Sequence, residues 1–314
     1  MRYMQTIIRV NHLSKTFGDF TAVNDLSFSV QEGDVYGFLG QNGAGKSTTI
    51  RMLLTLIRPT DGEMELFGYN LYSHRKEILR NIGAVIERPD LYKYLSGFEN
   101  LSLFAKMSGV HLKRSQLMDQ LELVGIANRS ADKVKTYSQG MKQRLGLAIA
   151  LVHNPQLIML DEPTNGLDPQ GIADMRNLIL MLSRKMKKTV FVSSHLLSEV
   201  EQVANRMLII DKGKKLVEGT VADLFAPDET IVHIKTADTE SCRLVLAESS
   251  YGERIQEVHA NELTVKIRRE EVPELTAFLV GKNVPVLGIA ARHSLEVYFL
   301  KITSSNQHVE AFTN

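Results

Sequence analysis

Residues 40–47 read Gly40-Gln41-Asn42-Gly43-Ala44-Gly45-Lys46-Ser47 and match G-x-x-x-x-G-K-[ST]. Such a loop has one chemistry. Its glycines let backbone N–H groups converge on phosphate oxygens, and the positive end of the following helix adds to the anion field. Lys46 is expected to reach the β- and γ-phosphates, and Ser47 to ligate Mg²⁺. A second candidate is Asp161-Glu162, two carboxylates closing the apolar run Leu157-Ile158-Met159-Leu160. Delivered to the same sheet edge, Asp161 fits the outer shell of the metal. Glu162 fits the base that polarises an attacking water.

Both motifs need strands behind them. Val35–Leu39 is continuously apolar, as expected of a strand buried on both faces, and the helix Ser47–Ile57 follows, stopped by Arg58-Pro59. Further strands are predicted at Ile82–Ile86, Leu157–Leu160, Thr189–Ser193 and Met207–Ile210, with helical patterns between them. That alternation predicts a parallel sheet covered by helices on both faces. Residues 93–153 lack a clear strand and read as a helical subdomain, with helices near Phe98–Met107, Gln116–Val124 and Gln139–His153. After Pro227 the pattern changes. Strands Thr230–Lys235, Arg254–His259, Glu262–Ile267 and Val284–Ala290, with helices Arg243–Ser249 and Val272–Val280, follow the βαββαβ order of a ferredoxin-like α+β domain. Ser294–Ile302 is a candidate closing helix. The division is therefore 1–226 and 228–314.

The 314 residues suffice for two domains. Lys and Arg number 37 against 36 Asp and Glu, so the net charge of +1 supplies no global field for nucleic acid or an anionic membrane. The single cysteine, Cys242, excludes an internal disulfide, fits a reducing cytosol and reads as a small core residue. Residues 1–10 carry no signal-peptide core, and no apolar run nears a membrane span, so a membrane role needs another chain. Arg184, Lys185, Lys187 and Lys188 read as a solvated helix end.

Between the two motifs lies Tyr137-Ser138-Gln139-Gly140-Met141-Lys142-Gln143-Arg144. Together with residues 40–47, Asp161-Glu162-Pro163-Thr164, Gly166-Leu167-Asp168 and His195, it resembles the ATP-binding-cassette (ABC) ATPases over about residues 7–220. Within them it is similar to the ATPase subunits of bacitracin- and lantibiotic-resistance exporters. The resemblance implies a P-loop cassette that binds ATP and Mg²⁺ and energises a membrane exporter, of antimicrobial peptides or drugs. It implies a head-to-tail homodimer at the inner face of the cell membrane, separate integral-membrane permease subunits and no nucleic-acid partner. Asn42–Thr48 would wrap the phosphates. Ser138, Gln139 and Gly140 would face the γ-phosphate held by the other subunit, and Asp168 would lie at the dimer seam. His195 would be the switch histidine at the γ-phosphate.

Other positions carry two readings. Phe17 either stacks on adenine or packs in the core beside Val23. Tyr92, Tyr94, Leu95 and Phe98 either form a groove for a permease helix or the core of the helical subdomain. Glu87 stands where most of the family has a metal-ligating glutamine, and is expected beside Asp161 near Mg²⁺; otherwise it is a surface carboxylate paired with Arg88. The signature also departs from the usual Leu-Ser-Gly-Gly-Gln at Gln139 and Met141. The alternative functions are a cassette ATPase acting on ribosomes or nucleic acid, for which two cassettes or a long coiled-coil insertion are missing, and a small-molecule kinase, against which the signature helix argues.

Overall fold

The computed structural model describes residues 5–225, 230–293 and 299. It divides into two compact units, Met1–Val221 and Ala222–Asn314. The division falls a few residues ahead of the boundary read at 226–228, because the antiparallel strand ending at Thr220 still belongs to the first sheet.

Among the described residues the first unit contains ten strands: β1 Thr6–Phe17, β2 Phe20–Gln31, β3 Val35–Leu39, β4 Asp61–Leu66, β5 Tyr69–Asn70, β6 Ile82–Val85, β7 Leu157–Asp161, β8 Thr189–Ser194, β9 Arg206–Asp211 and β10 Lys214–Thr220. A six-stranded sheet runs in the order β10-β9-β3-β8-β7-β6, parallel except for β10. Every residue of β3, β7 and β8 is buried, which explains their unbroken apolar runs. A second, antiparallel sheet in the order β2-β1-β4-β5 has no counterpart in the sequence reading, which placed no strand before residue 35. Its signal was the alternation of buried Leu26, Phe28 and Val30 with half-exposed neighbours. The core lies between the sheets. Phe28 of β2 packs on Tyr36, Phe38 and Phe191, with ring centroids 5.8–6.2 Å away.

The helices of this unit are α1 Lys46–Leu53, α2 Arg75–Leu79, α3 Gly97–Met107, α4 Arg114–Leu123, α5 Gln139–Leu151, α6 Pro169–Arg184 and α7 Leu197–Glu201, with α8 Val221–Leu224 at the division. Helix α1 ends four residues earlier than expected: Thr55 turns left-handed at φ 58°, and Leu56 is exposed. The helical block contains α3, α4 and α5 as anticipated, opened by a capping box between Ser96 and Glu99. Asp168 caps the start of α6, accepting from Gly171 N–H at 2.9 Å. Beyond its end Lys188 is not solvated: it is buried, donates to Asn154 Oδ1 at 2.7 Å, and burial lowers its pKa.

The second unit runs β11 Thr230–Thr236, α9 Thr239–Ala247, β12 Ile255–His259, β13 Glu262–Ile267, α10 Val272–Gly281 and β14 Val286–His293. All its strand pairs are antiparallel, in the order β12-β13-β11-β14. Helix α9 begins four residues earlier than expected, because Asp238 accepts from Ser241 N–H and caps it. Val232, Ile234, Cys242, Leu246, Leu263, Val265, Leu275 and Leu279 form its core. The expected closing helix Ser294–Ile302 lies outside the described residues apart from Phe299. Among the described residues no helix is long and apolar enough to cross a membrane.

Candidate functional site

The loop between β3 and α1 is shaped by close backbone approach. A Cβ on Gly40 would stand 2.6 Å from Ile210 O, and one on Gly45 2.5 Å from Ala22 O. Gly45 also has φ 104°, which an L side chain rarely adopts, and it opens α1. Gln41, Asn42, Gly43, Ala44 and Thr48 complete the loop and its helix start, and Gly43 is exposed at its tip. Lys46 is only 5% exposed and turns back into the loop, donating to Gly40 O at 2.7 Å and Gln41 O at 3.1 Å. This is the space that phosphate oxygens would take, and they would replace two neutral acceptors with charged ones.

The end of β7 faces the same lysine. Glu162 Oε1 stands 3.1 Å from Lys46 Nζ, and Glu162 Oε2 accepts from His195 Nδ1 at 2.7 Å. A carboxylate only accepts, so the imidazole proton at that contact belongs to Nδ1. Glu162 has φ 49°, and a non-glycine residue held there stores about 1–3 kcal/mol of strain. Its N–H is fixed by Ser193 Oγ at 3.0 Å, and the same hydroxyl donates to Asp161 Oδ1 at 2.6 Å. Asp161 is fully buried, and its Oδ2 has no partner. An orphaned carboxylate oxygen beside the phosphate loop suits a cation that completes its shell with phosphate and water. Among the described residues no three His, Cys, Asp or Glu side chains converge on a metal. One serine hydroxyl and one carboxylate fit Mg²⁺, which keeps its waters and is rarely caged by protein alone.

A groove of about 510 Å³ lies elsewhere on the unit and gathers the signature residues. Ser138, Gln139, Gly140 and Met141 line it together with Gly166, Leu167 and Asp168. Ser138 caps α5, its Oγ accepting from Met141 N–H at 3.2 Å. Arg144 of α5 is ion-paired with Asp174 of α6, so the two helix starts face one groove as a unit.

Phe17 is 48% exposed, with Lys15 Nζ 4.8 Å above its ring, so it is not core. Tyr92 and Tyr94 are exposed and so are not core, whereas Leu95 and Phe98 are half-buried, with Arg114 4.7 Å over the Phe98 ring. Glu87 does not pair with Arg88. Its carboxylate lies 2.5 Å from Arg51 of α1, and its backbone oxygen accepts from Gln143 Nε2 at 3.3 Å. Sequence reasoning missed Arg51, Gln143, Ser193 and Glu199. Two of them stood near a recognisable signal: Ser193 closes the predicted strand Thr189–Ser193, and Gln143 lies in the motif stretch 137–144.

The sequence profile of the ABC transporter family matches residues 23–165. The chain is 43% identical to the bacitracin transport ATP-binding protein BcrA of Bacillus licheniformis, over 95% of this chain and 98% of that one. It is 41% identical to the lantibiotic transport ATP-binding protein SrtF of Streptococcus pyogenes, over 68% of this chain and 90% of that one. Among solved structures, CbiO1 of Clostridium perfringens, part of an ABC transporter complex, superposes with a TM-score of 0.64 at 25% identity, covering 70% of this chain and 91% of that one.

Proposed function

The chain belongs to the ATP-binding subunits of ABC transporters, and from that premise we propose that the ATP it binds and hydrolyses drives export of an antimicrobial peptide through separate membrane subunits. The observation that carries the catalytic part is the chain of contacts Lys46–Glu162–His195, a buried cation, a carboxylate and an imidazole in series. ATP enters by displacing Lys46 from the two loop carbonyls. Lys46 then holds the β- and γ-phosphates while residues 41–48 wrap them, and the exposed Phe17 lies under the adenine. Ser47 and Asp161 would hold a Mg²⁺ ion, which when bound would neutralise charge on the phosphates, and Glu87 would approach it on leaving Arg51. Glu162 takes the proton of the attacking water, and His195 orients Glu162 and meets the γ-phosphate.

The groove of Ser138, Gln139 and Gly140 is lined by no residue of the chain's own phosphate loop. In a head-to-tail homodimer it covers the γ-phosphate bound by the other copy, with Asp168 at the seam. The exposed Tyr92 and Tyr94, with the half-buried Phe98 near them in sequence, suit a permease helix and support a peripheral position at the inner face of the membrane. The second unit is a ferredoxin-like accessory domain. Its strand order supports that reading, and the match to SrtF, covering 68% of this chain but 90% of that relative, supports its being separable from the cassette.

The experiment is fractionation of a tagged chain expressed in its own cells. It is expected to sediment with membranes and to be extracted by detergent with a multi-span partner. Its ATPase rate in those extracts should rise with bacitracin-class peptides. Recovery in the ribosomal fraction, with no membrane partner, overturns the exporter reading.

A further inference from the structure

The loops that carry Glu162 and His195 are tied together by a residue that touches neither. Glu199 of α7 presents one oxygen, Oε2, to two hydroxyls. Thr164 Oγ1 donates to it at 2.6 Å and Ser194 Oγ at 3.2 Å. Thr164 follows Glu162 in a tight turn closed by Asn165 N–H to Glu162 O at 3.1 Å. Ser194 immediately precedes His195, and its Oγ also accepts from Leu196 N–H at 3.0 Å, so the histidine is bracketed on both sides. The backbone oxygen of Ser194 accepts from Gly40 N–H at 3.3 Å, which joins the same loop to the start of the phosphate loop.

We infer that Glu199 is a positioning residue for ATP hydrolysis, a clasp that sets the distance between Glu162 and His195. The inference rests on the roles given above to those two residues. Two independent loops must meet at 2.7 Å, and one of them leaves Glu162 in a left-handed conformation. Left free, that residue relaxes toward ordinary backbone angles and its carboxylate leaves the imidazole. The carboxylate of Glu199 has no proton to donate, so both hydroxyls must point inward at it, and neither loop can turn away without losing a charge-assisted bond. Behind the clasp is a cavity of about 20 Å³ whose lining is mostly apolar, with Ile172, Ile179, Val192 and Val200 beside Thr164 and Glu199. Truncating Glu199 enlarges that space and lets water bond the two hydroxyls separately, which uncouples the loops.

The test uses the full chain and four variants: Glu199→Ala, Glu199→Gln, Thr164→Val and the control Glu162→Gln. A misplacement of the base relative to its partner costs turnover, not nucleotide affinity. Glu199→Ala is expected to lower kcat roughly tenfold or more while the KM for ATP stays within about twofold. Thr164→Val, which keeps the shape and removes one donor, should show the same split at smaller size. Glu199→Gln keeps an acceptor oxygen and should restore most of the rate. Wild-type kcat in both Glu199→Ala and Thr164→Val overturns the clasp. So does a KM that rises in step with the loss of kcat, since that is the mark of a merely structural residue. Should Glu199→Ala fail to fold, Thr164→Val alone decides between these outcomes. An active Glu162→Gln is a different failure, because it removes Glu162 as the base while the Glu199 variants still report on the clasp.

Discussion

Lys46 Nζ and Glu162 Oε1 stand 3.1 Å apart with the lysine almost wholly buried. A cation from the start of α1 and an anion from the end of β7 thus neutralise each other where the proposed mechanism puts a γ-phosphate. Removing one partner of such a pair leaves the other buried and unpaired, at a typical cost of 3–5 kcal/mol. Glu162 is partly protected from that loss by His195, while Lys46 keeps its two carbonyls.

Glu162→Gln should therefore fold and bind ATP, since the amide keeps the shape and Lys46 keeps other acceptors. Hydrolysis should fall by roughly 10²–10⁴-fold, the usual worth of a general base. Equilibrium binding of a fluorescent ATP analogue, run beside a steady-state phosphate-release assay, checks both halves. Near wild-type turnover excludes Glu162 as the base.

The proposed composite site can be tested by mixing. Lys46→Ala chains and Ser138→Arg chains should each be inactive alone. Mixed, each heterodimer holds one composite site with both lesions and one with neither, so activity should return. Hydrolysis by the wild type should also rise more than linearly with protein concentration. No recovery on mixing, with rates proportional to dilution, means that Ser138 does not serve the partner's phosphate.

Glu87 and Arg51 predict a metal dependence. The ion pair holds the carboxylate on α1, and Glu87 must leave it to reach a metal beside Asp161. Arg51→Gln should free the carboxylate and lower the Mg²⁺ concentration needed for half-maximal ATPase. Glu87→Gln should keep hydrolysis within about tenfold, because a lost metal-shell contact is worth ~1 kcal/mol. Three superimposable Mg²⁺ titrations would remove Glu87 from the metal.

Cys242 bears on pH. Burial first, and then the nearby Asp238 charge, push its thiol up to about 11. The folded state therefore favours the protonated form. Its contribution to stability is complete below the ordinary thiol pKa near ~8.5 and is lost as pH rises from there through 11. Labelling by a disulfide reagent at pH 8 should be slow in the native chain and fast in denaturant. Replacing Cys242 by Ala should flatten the alkaline fall in stability of the second unit. Fast native labelling means that the thiol is not enclosed.

The chemistry-bearing stretches were legible because their work is local. A phosphate cradle needs consecutive backbone N–H groups, so Gly40–Ser47 is contiguous and survives as a string of letters. Asp161 and Glu162 are adjacent because a single strand end delivers them. The parallel strands were legible too, since burial on both faces leaves an unbroken apolar run. The antiparallel sheet carried only a period-2 alternation, weaker over its 12-residue strands than a continuous run.

The partnerships were invisible for the opposite reason. Arg51 and Glu87 are 36 positions apart, and Thr164 and Glu199 35 apart. Each is an ordinary surface-type residue whose meaning comes from what the chain brings beside it. Lys188 looked like one more charge in a basic run until packing put Asn154 over it. Sequence alone specifies the groups that must meet the phosphates, because the ligand's geometry dictates their spacing along the backbone. The groups that hold the loops in place are chosen by three-dimensional proximity, which folding supplies and no local spacing encodes.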